Sequence, residues 1–255
     1  MLTDMKFLYC MALAGLLLPA VLFAQNPDGR AAKGGKAATR ANTLTAAEKK
    51  AGWMLLFDGH STAGWTTSRG QAVPEGWAIK DGALSTVKGV KGGDIITKEQ
   101  FSDFELVLDY NIEPACNSGV KYFFTRYEKG GNLGMEYQIL DDQLAEDNKK
   151  ENHLAGSFYD VLPPEASKKK VNAPGKWNTL RIVAKGDKVE HWLNGGKILE
   201  FTRGSAPFTA AVAQSKFRDT VPAFGTAGKG HILLQEHGGL VAFRNIKIKP
   251  LPHVQ

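Results

Sequence analysis

The 255-residue sequence contains only two cysteines, and this scarcity excludes a disulfide-stabilised scaffold. Cys10 lies in the apolar N-terminal segment, so a chain cleaved after that segment keeps Cys116 alone. One cysteine forms no internal disulfide, and a buried free thiol is its expected state. Stability must therefore come from packing, for which a hydrophobic fraction of 43% is sufficient.

Clusters of Lys and Arg with interleaved aromatic residues are also lacking, although the formal net charge is +6. Four of the basic residues fall between residues 25 and 47, where Asp28 is their only acidic neighbour. The remainder is mildly basic, so nucleic acid is not an expected partner. The run from Lys168 to Lys170 is interpreted as part of a solvated loop.

The first 24 residues have the pattern of a secretory signal peptide, in which Lys6 precedes an apolar segment from Phe7 to Phe23 and Ala24 follows it. An uncleaved membrane anchor is the alternative, but the segment is short and contains Pro19. Residues 25–43 are rich in Ala, Gly and Lys without periodicity, which predicts a disordered linker. We therefore expect an exported protein, periplasmic or extracellular, with no stable membrane insertion after cleavage and one folded domain over residues 44–255.

Long helical periodicity is missing after residue 50. One short helix is predicted before that point, because Thr45 and Glu48 have the spacing of a capping box. Short alternating segments follow, such as "FELVLDYNI", and glycine turns separate them. The turn dipeptides are Asp81-Gly82, Gly186-Asp187 and Asn194-Gly195. This pattern predicts an all-β fold, either a sandwich or a barrel of antiparallel strands.

The stretch "GMEYQILDD" reads as a strand with two different faces. Met135, Tyr137 and Ile139 are predicted to face the core, whereas Glu136 and Gln138 lie on the opposite face. A solvated surface and a binding site fit this spacing equally well.

Conventional catalytic signatures are absent: the sequence has no nucleophile elbow, HExxH, phosphate loop or CxxC pair. Scattered polar residues must therefore converge if they carry chemistry. His153 and His237 are candidates for acid–base work, although each also fits a surface or capping histidine. Arg126 ends a strand, where its guanidinium fits a carboxylate or an oxyanion. No loop has the acidic spacing of a calcium site, so no metal site is predicted, and a divalent cation is left open.

Several segments, taken in order, resemble the 3-keto-disaccharide hydrolase domain family of exported bacterial proteins. They are "LFDGHSTAGW", "NSGVKYFFTR", "MEYQILDD", "HLAGSFYD" and "ILLQEHGGLVAFRNIKIK", and the resemblance extends from residue 50 to residue 252. It implies a concanavalin-like jelly roll, a β-sandwich of two antiparallel sheets whose concave face binds a small carbohydrate. It also implies action on glycosides already oxidised to a ketone at C3, without a cofactor.

A C3 ketone acidifies the proton on C2, so a base can form an enolate and the C1 substituent can then leave as an alcohol. Such a reaction needs one base, a group that stabilises the enolate, and an acid. We expect Glu136 or His153 as the base, Arg126 beside the enolate, and His237 as the acid or a sugar contact. Trp65 or Tyr159 is expected to stack on a sugar ring. The expected substrate-binding residues are Asn117, Gln138, Asp142, Tyr159 and Gln235.

Two other functions fit the same fold. A non-catalytic carbohydrate-binding module would present mainly aromatic rings and amides, and the titratable groups named above exceed that need. An ordinary glycoside hydrolase would require two carboxylates about 5–10 Å apart around one sugar subsite. A hydrolase or lyase acting on 3-keto-glycosides is therefore the favoured interpretation.

Overall fold

The computed structural model describes residues 40–219, 221 and 223–252, so the predicted signal peptide and the linker up to residue 39 lie outside the described residues. The described part contains thirteen strands, two α-helices and one 3-10 turn. The helices are α1 (Ala46–Lys50) and α2 (Ala206–Ala213), and the 3-10 turn is Glu151–His153. The strands are β1 (Met54–Leu55), β2 (Trp65–Thr66), β3 (Trp77–Lys80), β4 (Ala83–Thr86), β5 (Ile95–Thr97), β6 (Phe104–Ile112), β7 (Asn117–Tyr127), β8 (Gly131–Leu140), β9 (Asn178–Lys185), β10 (Lys188–Leu193), β11 (Gly196–Thr202), β12 (His231–Leu234) and β13 (Val241–Pro250).

The strands form two antiparallel sheets. The larger sheet has the order β11-β10-β9-β6-β13-β4-β3, with β1 paired to β13. The smaller sheet has the order β2-β5-β12-β7-β8. Neighbouring strands in space are mostly distant in sequence, as crossing connections between two sheets require. The fold is the predicted concanavalin-like jelly-roll sandwich.

The core lies between the two sheets and follows the alternation of the strands. Every second residue from Leu106 to Ile112 in β6 is buried. Met135, Tyr137 and Ile139 of β8 are fully buried in the same cluster, which confirms their predicted direction. Burying a side chain of this size contributes about 1.5–3 kcal/mol to the free energy of unfolding. The smaller sheet is therefore held by one face, and its other face is available for a site.

Cys116 is buried as a free thiol, as predicted. Burial raises the pKa of this thiol to about 12. It stays protonated near neutral pH and is a poor nucleophile.

Local signals identified the turns and the first helix correctly. Asp81 and Gly82 both have positive φ, at 51° and 72°, as do Asn194 and Gly195 at 48° and 84°. Two successive positive φ values define the type I′ turn that suits a two-residue hairpin. In α1, Thr45 and Glu48 form the predicted capping box.

Helix α2 was missed by the strand-based interpretation of the C-terminal half. Its signals are a Ser205 N-cap, which accepts a hydrogen bond from the Phe208 N–H, and Pro207 in the first turn. Both are ordinary helix-start residues. The helix has only eight residues, so it shows no repeated apolar period.

The folded domain also begins earlier than residue 44. Asn42 is buried, its backbone N–H donates to the Asn245 side chain at 2.7 Å, and its amide donates to the Gly82 carbonyl at 2.7 Å. Residues 40–43 therefore do not belong to the predicted linker. A single asparagine in an Ala/Gly-rich stretch has no periodicity, so the sequence pattern did not reveal this anchor.

Strand β8 is an edge strand, and the segment 141–177 covers its free edge. The Gly156 N–H donates to the Gln138 carbonyl at 2.8 Å, and the Tyr159 N–H donates to the Glu136 carbonyl at 3.0 Å. Covering an edge in this way satisfies its backbone and prevents pairing with another chain. It also fixes Tyr159 beside Glu136, so the long segment forms one wall of the site.

Candidate active site

A cavity of about 690 Å³ opens on the face of the smaller sheet that points away from the core. This volume lies in the range of about 300–1,000 Å³ that is typical of small-molecule sites. Polar and charged side chains dominate its lining. The lining residues are Ala115, Asn117, Lys121, Glu136, Gln138, Glu146, Asp147, Tyr159, Lys216, Gln235, His237 and Gly239.

Strand register arranges the floor of the cavity in two rows. In the first row, Gln138 of β8 lies opposite Gly119 of β7, and the Gln235 N–H donates to the Gly119 carbonyl at 3.0 Å. In the second row, Glu136 lies opposite Lys121. Rows two residues apart along a strand are separated by about 7 Å. One row thus presents amides and the other presents opposite charges.

Glu136 is the most deeply buried carboxylate in the floor, with 7% of the residue exposed. Its Oε2 lies 3.6 Å from the Lys121 Nζ. Burial raises the pKa of Glu136, and the attraction of Lys121 and Lys216 only partly offsets this effect. The carboxylate is therefore a stronger base than an ordinary glutamate, which is the adjustment a general base requires.

Gly119 provides the space that the Glu136 carboxylate occupies. A methyl group on Gly119 would overlap Oε1 of Glu136. The backbone of Gly119 does not have positive φ, so a side chain is excluded by the carboxylate and not by conformation. This contact explains why a glycine follows "NS" at the start of β7.

The amide row presents hydrogen-bond acceptors that the described residues leave unpaired. Gln138 Nε2 donates to the Asn117 side chain at 3.3 Å, which leaves Gln138 Oε1 buried without a partner. Gln235 Oε1 is likewise buried and unpaired. A buried acceptor without a donor costs about 1–3 kcal/mol. A ligand that brings hydroxyl groups into the cavity would remove this cost.

Tyr159 forms a wall of the cavity and is held by a chain of short hydrogen bonds. Its hydroxyl donates to Asp147 Oδ2 at 2.7 Å, and Asp147 Oδ1 lies 2.8 Å from His153 Nδ1. On the other side of the ring, His153 Nε2 lies 2.7 Å from Asp160 Oδ1. Burial and the hydrogen bond to Asp147 raise the pKa of Tyr159, so its hydroxyl stays protonated.

Lys216 follows α2 and completes the wall next to Tyr159. Its Nζ lies 4.2 Å from the centroid of the Tyr159 ring, within cation–π distance. Its backbone N–H donates to Asp160 Oδ2 at 2.7 Å. Burial lowers the pKa of Lys216, although Glu136 and Asp160 oppose this shift. A second cation thus stands near the floor carboxylate.

The fold brings six of the predicted site residues to this cavity: Asn117, Glu136, Gln138, Tyr159, Gln235 and His237. His237 is exposed at the rim, and its ring hydrogen-bonds to none of the described residues. It is therefore accessible to a ligand or to solvent. The roles of these residues remain predictions.

His153 is not a wall residue of the cavity, contrary to the expectation that it meets the substrate. The residue is 9% exposed, and both ring nitrogens are occupied by carboxylates. A base needs a ring nitrogen that the substrate can reach, and both nitrogens of this ring face carboxylates. His153 is buried because the 3-10 turn carries it behind Tyr159 instead of into the cavity.

Arg126 also lies away from the cavity, so it does not stand beside the floor carboxylate. It is exposed near the end of β7 and lines a different cavity with Glu128 and Thr226. It lies five positions after Lys121, which is about 16 Å along a strand. The strand is also interrupted between Tyr122 and Thr125, where the register shifts. Lys121 takes the place in the floor that the sequence interpretation gave to Arg126.

Asp142 lies beyond the end of β8 and has structural partners instead of facing the cavity. Its carboxylate accepts from the Ala155 N–H at 2.7 Å and pairs with Lys169 at 2.5 Å. The strand ends at Leu140, so the alternation that placed Asp142 beside Gln138 does not continue. Lys169 is correspondingly half-buried, and only its neighbours in the lysine run are solvated.

Trp65 is a core residue and does not stack on a ligand. It is 2% exposed, and its indole N–H donates to the Leu56 carbonyl at 2.7 Å. Of the two aromatic residues considered for stacking, Tyr159 alone reaches the cavity.

Three important residues of the site were not identified from the sequence. Lys121 follows Asn117 and Gly119 at a spacing of two along β7, so strand alternation was sufficient to find it. Asp147 and Lys216 lie in irregular segments, where no period fixes the direction of a side chain.

No group of three or more His, Cys, Asp or Glu side chains within the described ranges is arranged to bind a metal ion. No helix in the same ranges has the length and apolar character needed to span a membrane.

Comparison with known proteins gives consistent relatives. The sequence model of the 3-keto-alpha-glucoside-1,2-lyase-like domain family matches residues 52–249. A 3-keto-disaccharide hydrolase of Bacteroides thetaiotaomicron is 31% identical over 230 residues, which cover 78% of this chain and 79% of that protein. A Parabacteroides distasonis protein described as a candidate glycosyl hydrolase has a TM-score of 0.75 at 32% identity, covering 84% of this chain and all of that one. A second protein of that organism, with the same description, has a TM-score of 0.58 at 30% identity, covering 78% and 99%.

Proposed function

Because the chain belongs to the 3-keto-alpha-glucoside-1,2-lyase-like domain family, we propose that it cleaves glycosides that carry a ketone at C3. Family and fold support a carbohydrate-active hydrolase with a small-molecule sugar substrate. The observation that carries the finer proposal is Glu136, a buried carboxylate of raised pKa beside a lysine in the cavity floor.

Glu136 is the proposed base. Its carboxylate takes the proton from C2, and the electrons of the C2–H bond form the enolate across C2 and C3. The enolate then collapses: the C3 carbonyl re-forms, and the electron pair between C2 and C3 becomes a C1–C2 double bond. The bond from C1 to the aglycone oxygen breaks in the same step, and its electrons leave with that oxygen, which takes up a proton to depart as an alcohol. Glu136 must be ionised to accept the proton, and its raised pKa makes the ionised carboxylate a stronger base.

Lys121 is the proposed stabiliser of the enolate oxygen at C3. It lies opposite Glu136 in the strand register. The ammonium group of Lys121 and the carboxylate of Glu136 are therefore close enough to act on C3 and C2 of one sugar ring. A fixed cation close to a developing oxyanion lowers the barrier by several kcal/mol in known enzymes. Lys216 on the cavity wall adds positive potential to the same space.

His237 at the rim is the proposed acid for the departing aglycone oxygen, because its ring is accessible and carries an exchangeable proton. Gln138, Gln235 and Tyr159 are proposed to accept hydrogen bonds from sugar hydroxyl groups. The product of elimination is a 2-hydroxy-3-keto-glycal. Addition of water across its C1–C2 double bond gives the free 3-keto sugar, so elimination followed by hydration amounts to hydrolysis.

Aglycone release from a 3-keto-glucoside and from its unoxidised parent tests this proposal. Release from the keto form alone is the expected result, because only a C3 ketone makes the C2 proton acidic. Release from the parent would identify an ordinary glycosidase instead. Binding of both sugars without release would identify the carbohydrate-binding module that the amide row of the floor also suits.

Export is a further part of the proposal. Its basis is the signal-peptide pattern of residues 1–24, and mass spectrometry of the protein recovered from the periplasm or medium tests it. A mature N-terminus next to residue 25 is expected. Recovery of the full-length chain in the cytoplasmic fraction would contradict export.

A further inference from the structure

We propose that His153 is a positioning residue of this site, which orients Tyr159 as a hydrogen-bond acceptor for a substrate hydroxyl group. The inference rests on the proposed function for the identity of the substrate, but the hydrogen-bond chain behind it is independent of the reaction. His153 would thus act on the substrate indirectly, because it holds Asp147, and Asp147 holds the Tyr159 hydroxyl.

The chain is anchored at Asp160. Its Oδ2 accepts from the Lys216 backbone N–H at 2.7 Å, and Lys150 Nζ lies 3.4 Å from its Oδ1. Asp160 has φ of 59°, a left-handed conformation that aspartate adopts more readily than most residues. These contacts fix Oδ1 where it meets His153 Nε2 at 2.7 Å. Asp160 therefore gives the imidazole a rigid support.

Both ring nitrogens of His153 face carboxylate oxygens, at 2.8 Å from Asp147 and 2.7 Å from Asp160. An ionised carboxylate only accepts hydrogen bonds, so each ring nitrogen must donate. Burial alone would raise the pKa values of both aspartates, but their hydrogen bonds outweigh it and the values are lowered. Two ionised carboxylates at these distances therefore require an N–H on each ring nitrogen of His153.

This arrangement determines which way the Tyr159 hydroxyl points. Asp147 accepts a hydrogen bond from His153 on Oδ1 and from the Tyr159 hydroxyl on Oδ2. Since the phenol has a single proton, its oxygen presents only lone pairs to the cavity. The ring of Tyr159 is further held against His153 at 4.6 Å between centroids. Tyr159 therefore joins the two glutamine oxygens as an acceptor, and the bound sugar must donate.

A double-mutant cycle tests whether His153 acts through Tyr159. His153→Gln, Tyr159→Phe and the double variant are compared for kcat and KM on a 3-keto-glucoside. Misplacement of a substrate contact costs up to about 100-fold, so His153→Gln is expected to lower kcat by about 10- to 100-fold. The double variant is expected to be no slower than Tyr159→Phe alone. Losses that multiply would overturn the proposal.

His191→Gln is the matched control for loss of a buried histidine. The His191 ring is fully buried, and its Nε2 lies 2.9 Å from the Tyr122 hydroxyl, within the core. It is expected to lower the melting temperature while kcat of the folded protein changes little. An equal loss of kcat in this variant would show that destabilisation alone explains His153→Gln.

A second readout requires no turnover. NMR of the ¹⁵N-labelled protein at neutral pH is expected to show two protonated ring nitrogens for His153, and Asp147→Asn is expected to change these signals. A ring with a single N–H would overturn the proposal. If the protein does not cleave the 3-keto-glucoside, the proposed function fails while this measurement still decides the hydrogen-bond chain.

Discussion

The cavity floor around Glu136 and the loop cluster around Asp160 contain carboxylates of similar burial whose pKa values shift in opposite directions. Burial raises the pKa of Glu136, and one lysine at 3.6 Å does not compensate. Burial also acts on Asp160, but hydrogen bonds from His153 and Lys216, with Lys150, more than compensate and lower its pKa.

The difference shows that hydrogen-bond donors can reverse the upward pKa shift that burial imposes on a carboxylate. Asp160 is satisfied and holds two segments of chain together. Glu136 is held in a gap made by Gly119, with a cation near it, so it can accept a proton. The arrangement around Asp160 suits a positioning role, and the arrangement around Glu136 suits proton transfer.

Glu136→Gln tests the reactive side of this comparison and has the largest expected effect. A general base contributes about 10²–10⁴-fold, so kcat on a 3-keto-glucoside is expected to fall by that factor. Glu105→Gln is the matched control, because Glu105 is also poorly exposed and pairs with Arg181 and Lys249, on the other sheet. It is expected to retain full activity. An active Glu136→Gln enzyme would remove the proposed base.

Lys121→Met tests the cation beside the base. Loss of one group that stabilises an oxyanion costs about 10²–10³-fold in kcat, and a loss of this size is expected. Arg126→Met is the control, since Arg126 is exposed in the same strand but outside the cavity. Aglycone release should therefore be much slower in Lys121→Met than in Arg126→Met. The reverse order of effects would restore Arg126 to the site.

Gly119→Ala changes the floor without removing any functional group. Its methyl group would displace the Glu136 carboxylate, so a loss of about tenfold or more in kcat is expected from misplacement. Gly228→Ala is the control, because a methyl group there meets open space. Wild-type kcat in Gly119→Ala would show that the position of the carboxylate is unimportant.

The pH dependence of stability gives the smallest and most specific contrast. A raised pKa in Glu136 means that its stabilising contribution is present at low pH and lost as pH rises through that pKa. The melting temperature of Glu136→Gln relative to wild type should therefore increase from pH 4 to pH 7, starting near the unfolded value of about 4.3. Calorimetric scans at several pH values measure this difference.

Asp160→Asn should show the opposite sign in the same scans. The lowered pKa of Asp160 gives stability above its unfolded pKa, and this stability is lost as pH falls through the folded value. The deficit of Asp160→Asn relative to wild type should therefore shrink on acidification. Parallel trends in the two variants would contradict the comparison.

Strand alternation was sufficient to predict the all-β class and the directions of Met135, Tyr137 and Ile139, because a β-strand has a side-chain period of two. The jelly-roll sandwich itself was predicted from the family resemblance. Strand alternation also placed Glu136 and Gln138 together on the outer face, where they line the cavity. It failed for Asp142, since the strand ends before it. Arg126 was chosen for its guanidinium group at the end of a strand and not by alternation, and it lies outside the cavity.

Irregular segments set the limit of the prediction. His153 lies in a 3-10 turn and Lys216 follows a short helix, and neither segment has a period that fixes side-chain direction. Both segments donate hydrogen bonds to Asp160, and the bond from Lys216 spans 56 residues of sequence. Such long-range polar contacts are determined by the assembled fold and are not visible as a local pattern.

Proton removal from C2 by Glu136 is the central claim, and the fate of a C2 deuterium tests it most directly. A 3-keto-glucoside labelled at C2 is cleaved in ordinary water, and the released sugar is analysed by mass spectrometry, with free labelled 3-keto-glucose as the exchange control. Elimination followed by hydration predicts that the released sugar loses the deuterium to solvent faster than the control. Retention of the deuterium in the released sugar would contradict the account.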